Sequence, residues 1–361
     1  MKGLVMTEVN TYLEEIIDAL DFQSLNQFLN EHMRIEMDFA ELISQISIHG
    51  IEGINRENIT QLFFDTIFYE ISLARPIFVK MLIFAVFFSV IQRLLVSKKT
   101  YVSDIGFLLI YSTLMVLLMQ SFYQVRDIAL EGINGILAFL QALIPTYTMT
   151  MVFAGNAVSG AVAYELAFFF IYFIGFLIKN FISPMIHIFV LVLFLNHLFE
   201  EDKLSKLAEF MEKMISLCLK LSFGAVVGLG VVQALLAPMK DRLANHVTLS
   251  GLLSIPGIGN ALGSAGEIIF SCGMLIKNSV GVVGLLLLCV IAMIPIIKIG
   301  CFWMMYHLLS IVLQPVSDIR LVECVSGVAR GCDLYLKMIL YSVLLFFVLI
   351  SMVTMATSFV F

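Results

Sequence analysis

Charge is what this chain has least of. Only 13 % of its 361 residues are Asp, Glu, Lys or Arg, against 60 % hydrophobic, and the mean hydropathy is +1.00. A soluble domain carries about 25 % charged residues, so an ordinary water-exposed surface is excluded. Catalytic and nucleotide signatures are missing too. The chain has no G-x-x-x-x-G-K-[ST] phosphate loop, no H-E-x-x-H and no G-x-S-x-G. That removes the usual sequence grounds for ATP hydrolysis, zinc proteolysis or serine-nucleophile chemistry. The cysteines (Cys218, Cys272, Cys289, Cys301, Cys324, Cys332) form no C-x-x-C pair and no Cys/His cluster. Neither a disulfide framework nor a zinc site is indicated, no cofactor is implied, and they read as small buried hydrophobes. An enzyme would have to rest on isolated polar groups.

What is present is a series of apolar runs of about 20 residues, the length that crosses a bilayer as a helix. The expected fold is all-α, a polytopic helical membrane protein with about nine spans. They are placed at 76–96, 105–125, 133–153, 157–178, 181–199, 217–238, 279–297, 299–314 and 334–360. Ahead of them, residues 1–75 hold thirteen acids against four bases, a net of −9. With −6 for the whole chain, the other 286 residues carry +3. Residues 1–75 therefore read as an acidic helical region, and 76–361 as the membrane domain. Thr11-x-x-Glu14 is a capping box, and Leu13, Ile16, Ile17 and Leu20 follow at helical spacing. An acidic leader attracts neither nucleic acid nor anionic lipid. The apolar run after Met1-Lys2-Gly3 stops at Thr7 and Glu8, short of a secretory signal. Arg93, Lys98 and Lys99 place the loop after the first span in the cytoplasm, so the leader is expected on the extracytoplasmic side.

Within the membrane domain a few polar groups stand out. Pro145, followed by Thr146, Tyr147, Thr148 and Thr150, interrupts the third span and favours a kink. Glu165 lies about two turns into the fourth span, where a carboxylate must be paired, protonated or wetted. It reads either as part of an aqueous path or as a hydrogen-bonded group against a neighbouring helix. His187 and His197 are ten residues apart on different helix faces, unsuited to a shared metal. Residues 200–215 carry the i,i+4 pairs Asp202/Lys206 and Glu209/Lys213 beside an apolar face, the pattern of an interfacial amphipathic helix. Lys203, Lys206, Lys213 and Lys220 set that helix on the cytoplasmic side. Gly224-x-x-x-Gly228 in the sixth span permits close helix approach.

The most unusual stretch is 251–284, with eight glycines, Pro256, Glu267 and Lys277. Bilayer hydrocarbon offers nothing to satisfy freed backbone groups, so such a break survives only where protein buries it or water lines it. A re-entrant or interfacial segment is expected, broken at Pro256, Gly257 and Gly259. Its glycines, Gly263 included, serve as close-packing or hinge points, and Glu165, Glu267 and Lys277 are the candidate path or gate residues. Residues 315–333 form an amphipathic link before the last span.

Two runs carry a family resemblance. LLSIPGIGNALGSAGEIIFSCGMLIKNSVGVVGLLLL, residues 252–288, and QPVSDIRLVECVSGV, residues 314–328, agree in order and spacing with motifs of one family. The chain resembles the stage III sporulation protein AE family of endospore-forming bacteria. The resemblance implies a non-enzymatic membrane subunit of the mother-cell-to-forespore channel, or feeding, complex in the membrane around the engulfed forespore. It implies as partners the other stage III sporulation A-operon proteins: membrane subunits, ring-forming proteins and a secretion-type ATPase. A forespore-side protein is implied indirectly. No catalytic residue comes with the resemblance. The alternative is a free-standing small-solute or ion permease working through Glu165, Glu267 and Lys277.

Bulk at Gly257, Gly259 and Gly263 is expected to hold apart backbones that need to approach. Spore yield with Val at all three should fall well below wild type; an unchanged yield would count against a packing or hinge role.

Overall fold

A computed structural model describes residues 17, 20, 22–33, 39–49, scattered positions between 64 and 90, 101–154, 157–198, 203–253, 259–315 and 317–356. Over 233–253 and 259–270 only the backbone is described. The described elements are all helical. Two short helices, α1 (Gln23–Met33) and α2 (Phe39–His49), precede long ones. These are α3 (Tyr101–Phe153), α5 (Ser205–Leu253), α6 (Gly259–Leu313) and α7 (Ile319–Ala356). Between α3 and α5, the segments Ala157–Leu177 and Ser183–Leu198 are joined by a π-helical turn, Ile178–Ile182, and together make α4.

Five of these helices are long and apolar enough to cross a membrane, where the hydropathy pattern predicts about nine spans. Of that difference of four, three come from fusion, the spans expected at 279–297 and 299–314 both lying in α6, and the first, 76–96, falls mostly outside the described residues. The spans expected at 105–125 and 133–153 are one helix, because the residues between them, Arg126-Asp127-Ile128-Ala129-Leu130-Glu131-Gly132, are charged but contain no proline. Arg and Glu are good helix formers, so charge alone does not end a helix. The spans at 157–178 and 181–199 are likewise joined through the π turn. The amphipathic stretch 200–215 is not a separate interfacial helix: from Ser205 it is the start of α5, continuous with the sixth span. Link 315–333 begins α7, whose entry is held by the backbone N–H of Arg320 donating to the Asp318 carboxylate at 2.9 Å. In the glycine-rich stretch, residues from Gly259 onward are the opening turns of the 55-residue α6 rather than a short hairpin arm. Pro256 and Gly257 lie outside the described residues. Of the first expected span, the described positions from Pro76 to Val90 are helical, with Val79, Ile83 and Phe87 exposed.

Contacts between helices fix their relative levels. At one end, Tyr111 donates to the Phe194 carbonyl at 2.7 Å and His197 meets Glu323 at 2.9 Å. Farther along, Tyr306 donates to Ser121 at 2.7 Å, and Ser183 lies 3.1 Å from the Tyr335 hydroxyl. Arg330 pairs with Glu212. At the other end, Met151 on α3 faces Gly160 on α4. Helices α3, α5 and α7 thus run one way and α4 and α6 the other. Both α1 and α2 pack on the α3–α6 side: Phe28 lies 5.7 Å from Phe139 between ring centroids, and Ser47 donates to Ser279 at 2.8 Å. Their outward positions, Gln23, Ser24, Gln27, Asn30, Glu41 and Gln45, are polar and exposed.

Glycines mark where backbones come closest. A Cβ on Gly331 would lie 2.5 Å from Val190 and 2.8 Å from Phe122, and one on Gly132 would lie 2.6 Å from Pro295. Gly224 and Gly228, by contrast, have nothing within 4 Å. The close approach expected at that G-x-x-x-G does not occur within this chain, because α5 turns this face outward, with Leu221 and Leu229 exposed beside it. Gly331→Ala is therefore expected to lower the free energy of unfolding in detergent through overpacking, typically by about 1–3 kcal/mol. Gly224→Ala should leave it unchanged or raise it, since Ala is the better helix former by about 1 kcal/mol.

Candidate functional site

Lysine 277 is the expected site residue that the fold places inside the protein. It is fully buried, with 0 % of its surface exposed. The reason lies in helix geometry. Residues four apart share a helix face, and Lys277 has Gly273 one turn before it and Gly281 one turn after. A Cβ on Gly273 would sit 2.8 Å from the Phe153 carbonyl oxygen, at the last residue of α3. One on Gly281 would sit 2.9 Å from Thr354 Oγ1 and 3.3 Å from the Tyr147 hydroxyl. The lysine face of α6 is thus turned to the C-terminal end of α3 and to a polar point on α7.

That environment suits a cation. The final carbonyls of a helix lack intrahelical partners and carry about half a negative charge through the macrodipole. Helix α3 supplies such an end at Phe153, and nearby polar side chains are internally satisfied. Thr148 donates to the Ile144 carbonyl and Thr150 to that of Tyr147, both one turn or less back on their own helix. The Tyr147 and Thr354 hydroxyls share a hydrogen bond between α3 and α7. Around them Ile276, Val280 and Met151 are buried, so the polar cluster is enclosed by apolar packing. Chemically it can hold a positive charge out of water, or present one to an anionic group that reaches it. No group of three or more His, Cys, Asp or Glu able to hold a metal occurs among the described residues.

The other candidate path residues are elsewhere. Glu165 is exposed on the outer face of α4 beside Tyr164, away from the lysine. Glu267 is on the opening turns of α6, where the backbone alone is described, as are Gly259 and Gly263. The structure therefore does not join Glu165 and Lys277 in one path. Sequence reasoning named His187 and Tyr147 without their surroundings and passed over Tyr335. His187 is buried against Phe122 and Tyr123, at 5.1 and 4.5 Å between ring centroids, and neither ring nitrogen has a hydrogen-bond partner among the described residues. Tyr147, Tyr306 and Tyr335 each tie one long helix to another. An aromatic hydroxyl inside a predicted span was the available signal, since a buried Tyr O–H finds a partner. His197, placed on a different face from His187, pairs with Glu323 on α7.

Comparison with known proteins now bears on this bundle. The family profile described as stage III sporulation protein AE matches residues 37–357. The chain belongs to the stage III sporulation protein AE family. A curated relative, stage III sporulation protein AE of Bacillus subtilis (strain 168), is 26 % identical over 356 residues, covering 95 % of this chain and 88 % of that protein. No solved structure matches. The matched region includes α2 through α7, with Lys277 and its surroundings.

Removing the Tyr147–Thr354 hydrogen bond should loosen α3 from α7. Tyr147→Phe and Thr354→Val, singly and together, are expected to show a coupling of about 0.5–1.5 kcal/mol in a double-mutant cycle of unfolding in detergent. Additive effects would show the two hydroxyls to be independent.

Proposed function

We propose that this chain is a non-enzymatic, polytopic subunit of the mother-cell-to-forespore channel complex required after engulfment. The family match over residues 37–357 carries the reading. Five apolar helices long enough to cross a membrane support it by supplying a membrane-embedded body. In this reading the chain resides in the mother-cell membrane around the forespore, with residues 1–75 on the intermembrane side as an acidic region ahead of the membrane domain at 76–361. It works with the other products of its operon: the ring-forming proteins, the secretion-type ATPase and the smaller membrane subunits. Its contribution is a gate or platform rather than a reaction. Lys277 is the residue we place at the gate, because a buried ammonium beside a helix end attracts anionic groups and resists passage of cations. Pro256, Gly257, Gly259 and Gly263 are the hinge that lets the glycine-rich segment adapt.

The competing reading is a free-standing permease, and the buried Lys277 is the observation that favours it. Reconstitution separates the two, since a permease moves solute in liposomes without its operon partners and a subunit does not. A clean deletion of the gene is expected to arrest spores after engulfment and to be rescued by the wild-type copy. Heat-resistant spores at normal yield from the deletion strain would refute the channel role. Lys277→Met keeps length and removes charge. It should leave membrane insertion intact while lowering spore yield if the ammonium acts at a gate.

A further inference from the structure

The first part of α4, up to its π turn, carries an outward stripe with a charge at each end. Glu165, Tyr172 and Lys179 follow one another at intervals of seven residues, and all three are exposed. Seven residues make about two helical turns, so the three lie along one line of the helix surface. Phe169 and Phe176 flank that line, 55 % and 57 % exposed, and Tyr172 is 63 % exposed. The rings hold one another in place. Tyr164, Phe168 and Tyr172 touch in series at 4.6 and 6.1 Å between centroids, and Phe169 stacks on Phe173 at 5.8 Å. The stripe is thus a preformed aromatic ridge about 21 Å long, with an acid at one end and a base at the other. Neither Glu165 nor Lys179 makes a hydrogen bond or ion pair with the described residues.

This ridge needs a protein neighbour wherever the bilayer lies. Helix α4 has 42 residues, about 63 Å, against a hydrocarbon core of about 30 Å. It is apolar on both sides of Lys179, and Glu165 and Lys179 are its only Asp, Glu, Lys or Arg. If the part before Lys179 is in hydrocarbon, Glu165 lies about 21 Å from that lysine and inside the core. Carboxylates at that depth face the interior of a helix bundle and pair there. Glu165 instead occupies the face opposite Ala163, Ala167, Phe170 and Ile174, which are buried against the rest of the chain. The bundle that would enclose it is therefore larger than one chain. If the part after Lys179 is in hydrocarbon, the ridge stands in water as a contiguous aromatic patch, the composition of a protein–protein contact. In both placements, whatever covers the ridge also covers the two charges, and burying them without opposite charges is costly.

We propose that the stripe docks a helix of a different protein, one that carries an acid and a base two heptads apart on an otherwise apolar face. The charges choose this occupant over a second copy of the chain. Another copy in the same membrane has the same orientation, so α4 against α4 sets Glu165 on Glu165 and Lys179 on Lys179. Contact of α4 with α5 of a second copy fails in the same way. The backbone N–H of Leu204 donates to the Asn196 side chain at 2.7 Å. Lys179 and Lys220 lie 17 and 16 residues from that bond along antiparallel helices, so they share a level, and Lys220 is exposed. The fitting helix presents a cation to Glu165 and a carboxylate to Lys179, with apolar side chains between them for Tyr172 and Phe176 to pack against. Opposite charges at both ends also fix which way that helix runs.

The full chain in detergent micelles tests this with labelled Leu/Ala helices whose two charged residues stand fourteen positions apart. The probes carry one Arg and one Glu, two Glu, or two Arg. The Arg/Glu helix should bind at least about tenfold more tightly than either of the others. Glu165→Lys should move the preference to the two-Glu helix, and Lys179→Glu should move it to the two-Arg helix. Glu165→Gln with Lys179→Gln keeps both lengths and should bind all three alike. A wild-type chain without preference, or a preference that the substitutions leave unchanged, overturns the proposal. In sporulating cells, photoreactive p-benzoylphenylalanine in place of Tyr172 should crosslink to another protein, at a segment holding an acid and a base two heptads apart. Glu165→Lys should abolish that adduct. An adduct of two copies of this chain, a crosslinked segment without those charges, or no adduct overturns the proposal as well.

Discussion

Apolar helices in a bilayer are not driven together by water, so their arrangement depends on how closely their surfaces fit. In this bundle the fit is set at a handful of positions where a side chain has no room. Gly132 admits Pro295, Gly175 admits Leu137, Gly284 admits Leu143, and Gly331 admits Val190 and Phe122. Gly273 lets α6 reach the backbone at the end of α3. Those approaches fix the height of each helix against the next, and every other feature inherits that register. The tyrosine hydroxyls can then cross from helix to helix, as Tyr306 does to Ser121 and Tyr111 to Phe194. Each adds a modest hydrogen bond, but together they permit only one vertical offset.

The polar groups divide sharply under that register. Lys277 is buried on the face of α6 that Gly273 brings up to the C-terminal end of α3. Glu165 stays outside because α4 buries the opposite face, through Ala163, Ala167, Phe170 and Ile174. The fold therefore separates these two groups, one inside the bundle and one on its outer face. The family to which the chain belongs is one of sporulation proteins.

The class of fold was legible in composition alone, since a chain so poor in charge and so rich in 20-residue apolar runs has few alternatives. That Lys277 needs shelter was legible as well, because a lysine among glycines in an apolar stretch cannot face hydrocarbon, and the fold buries it. Helix boundaries were harder. Arg126, Asp127 and Glu131 look like a loop to a hydropathy window, yet they form helix readily, and only tertiary packing shows that α3 passes straight through them. Gly224 and Gly228 show the opposite failure: the spacing is right for close contact, but which way α5 faces is decided by Ala208, Ile215, Leu219 and Val226, which bury the other side. The tyrosine links join residues up to 207 positions apart, as in Tyr147 and Thr354, and no local pattern encodes a partner at that distance.

The π turn Ile178–Ile182 lets the two parts of α4 answer to different neighbours. Gly175, before it, sits against Leu137 of α3, whereas Val190, after it, sits against Gly331 of α7. A π turn accommodates one residue more than an α-helix would, and one residue is about 100° of rotation. The extra residue thus works as an angular offset between an upper and a lower gear on one shaft. Deleting it would swing His187 and Val190 away from their partners while leaving the 157–177 segment in place, so the length of this short stretch is constrained as well as its two buried isoleucines, Ile178 and Ile182.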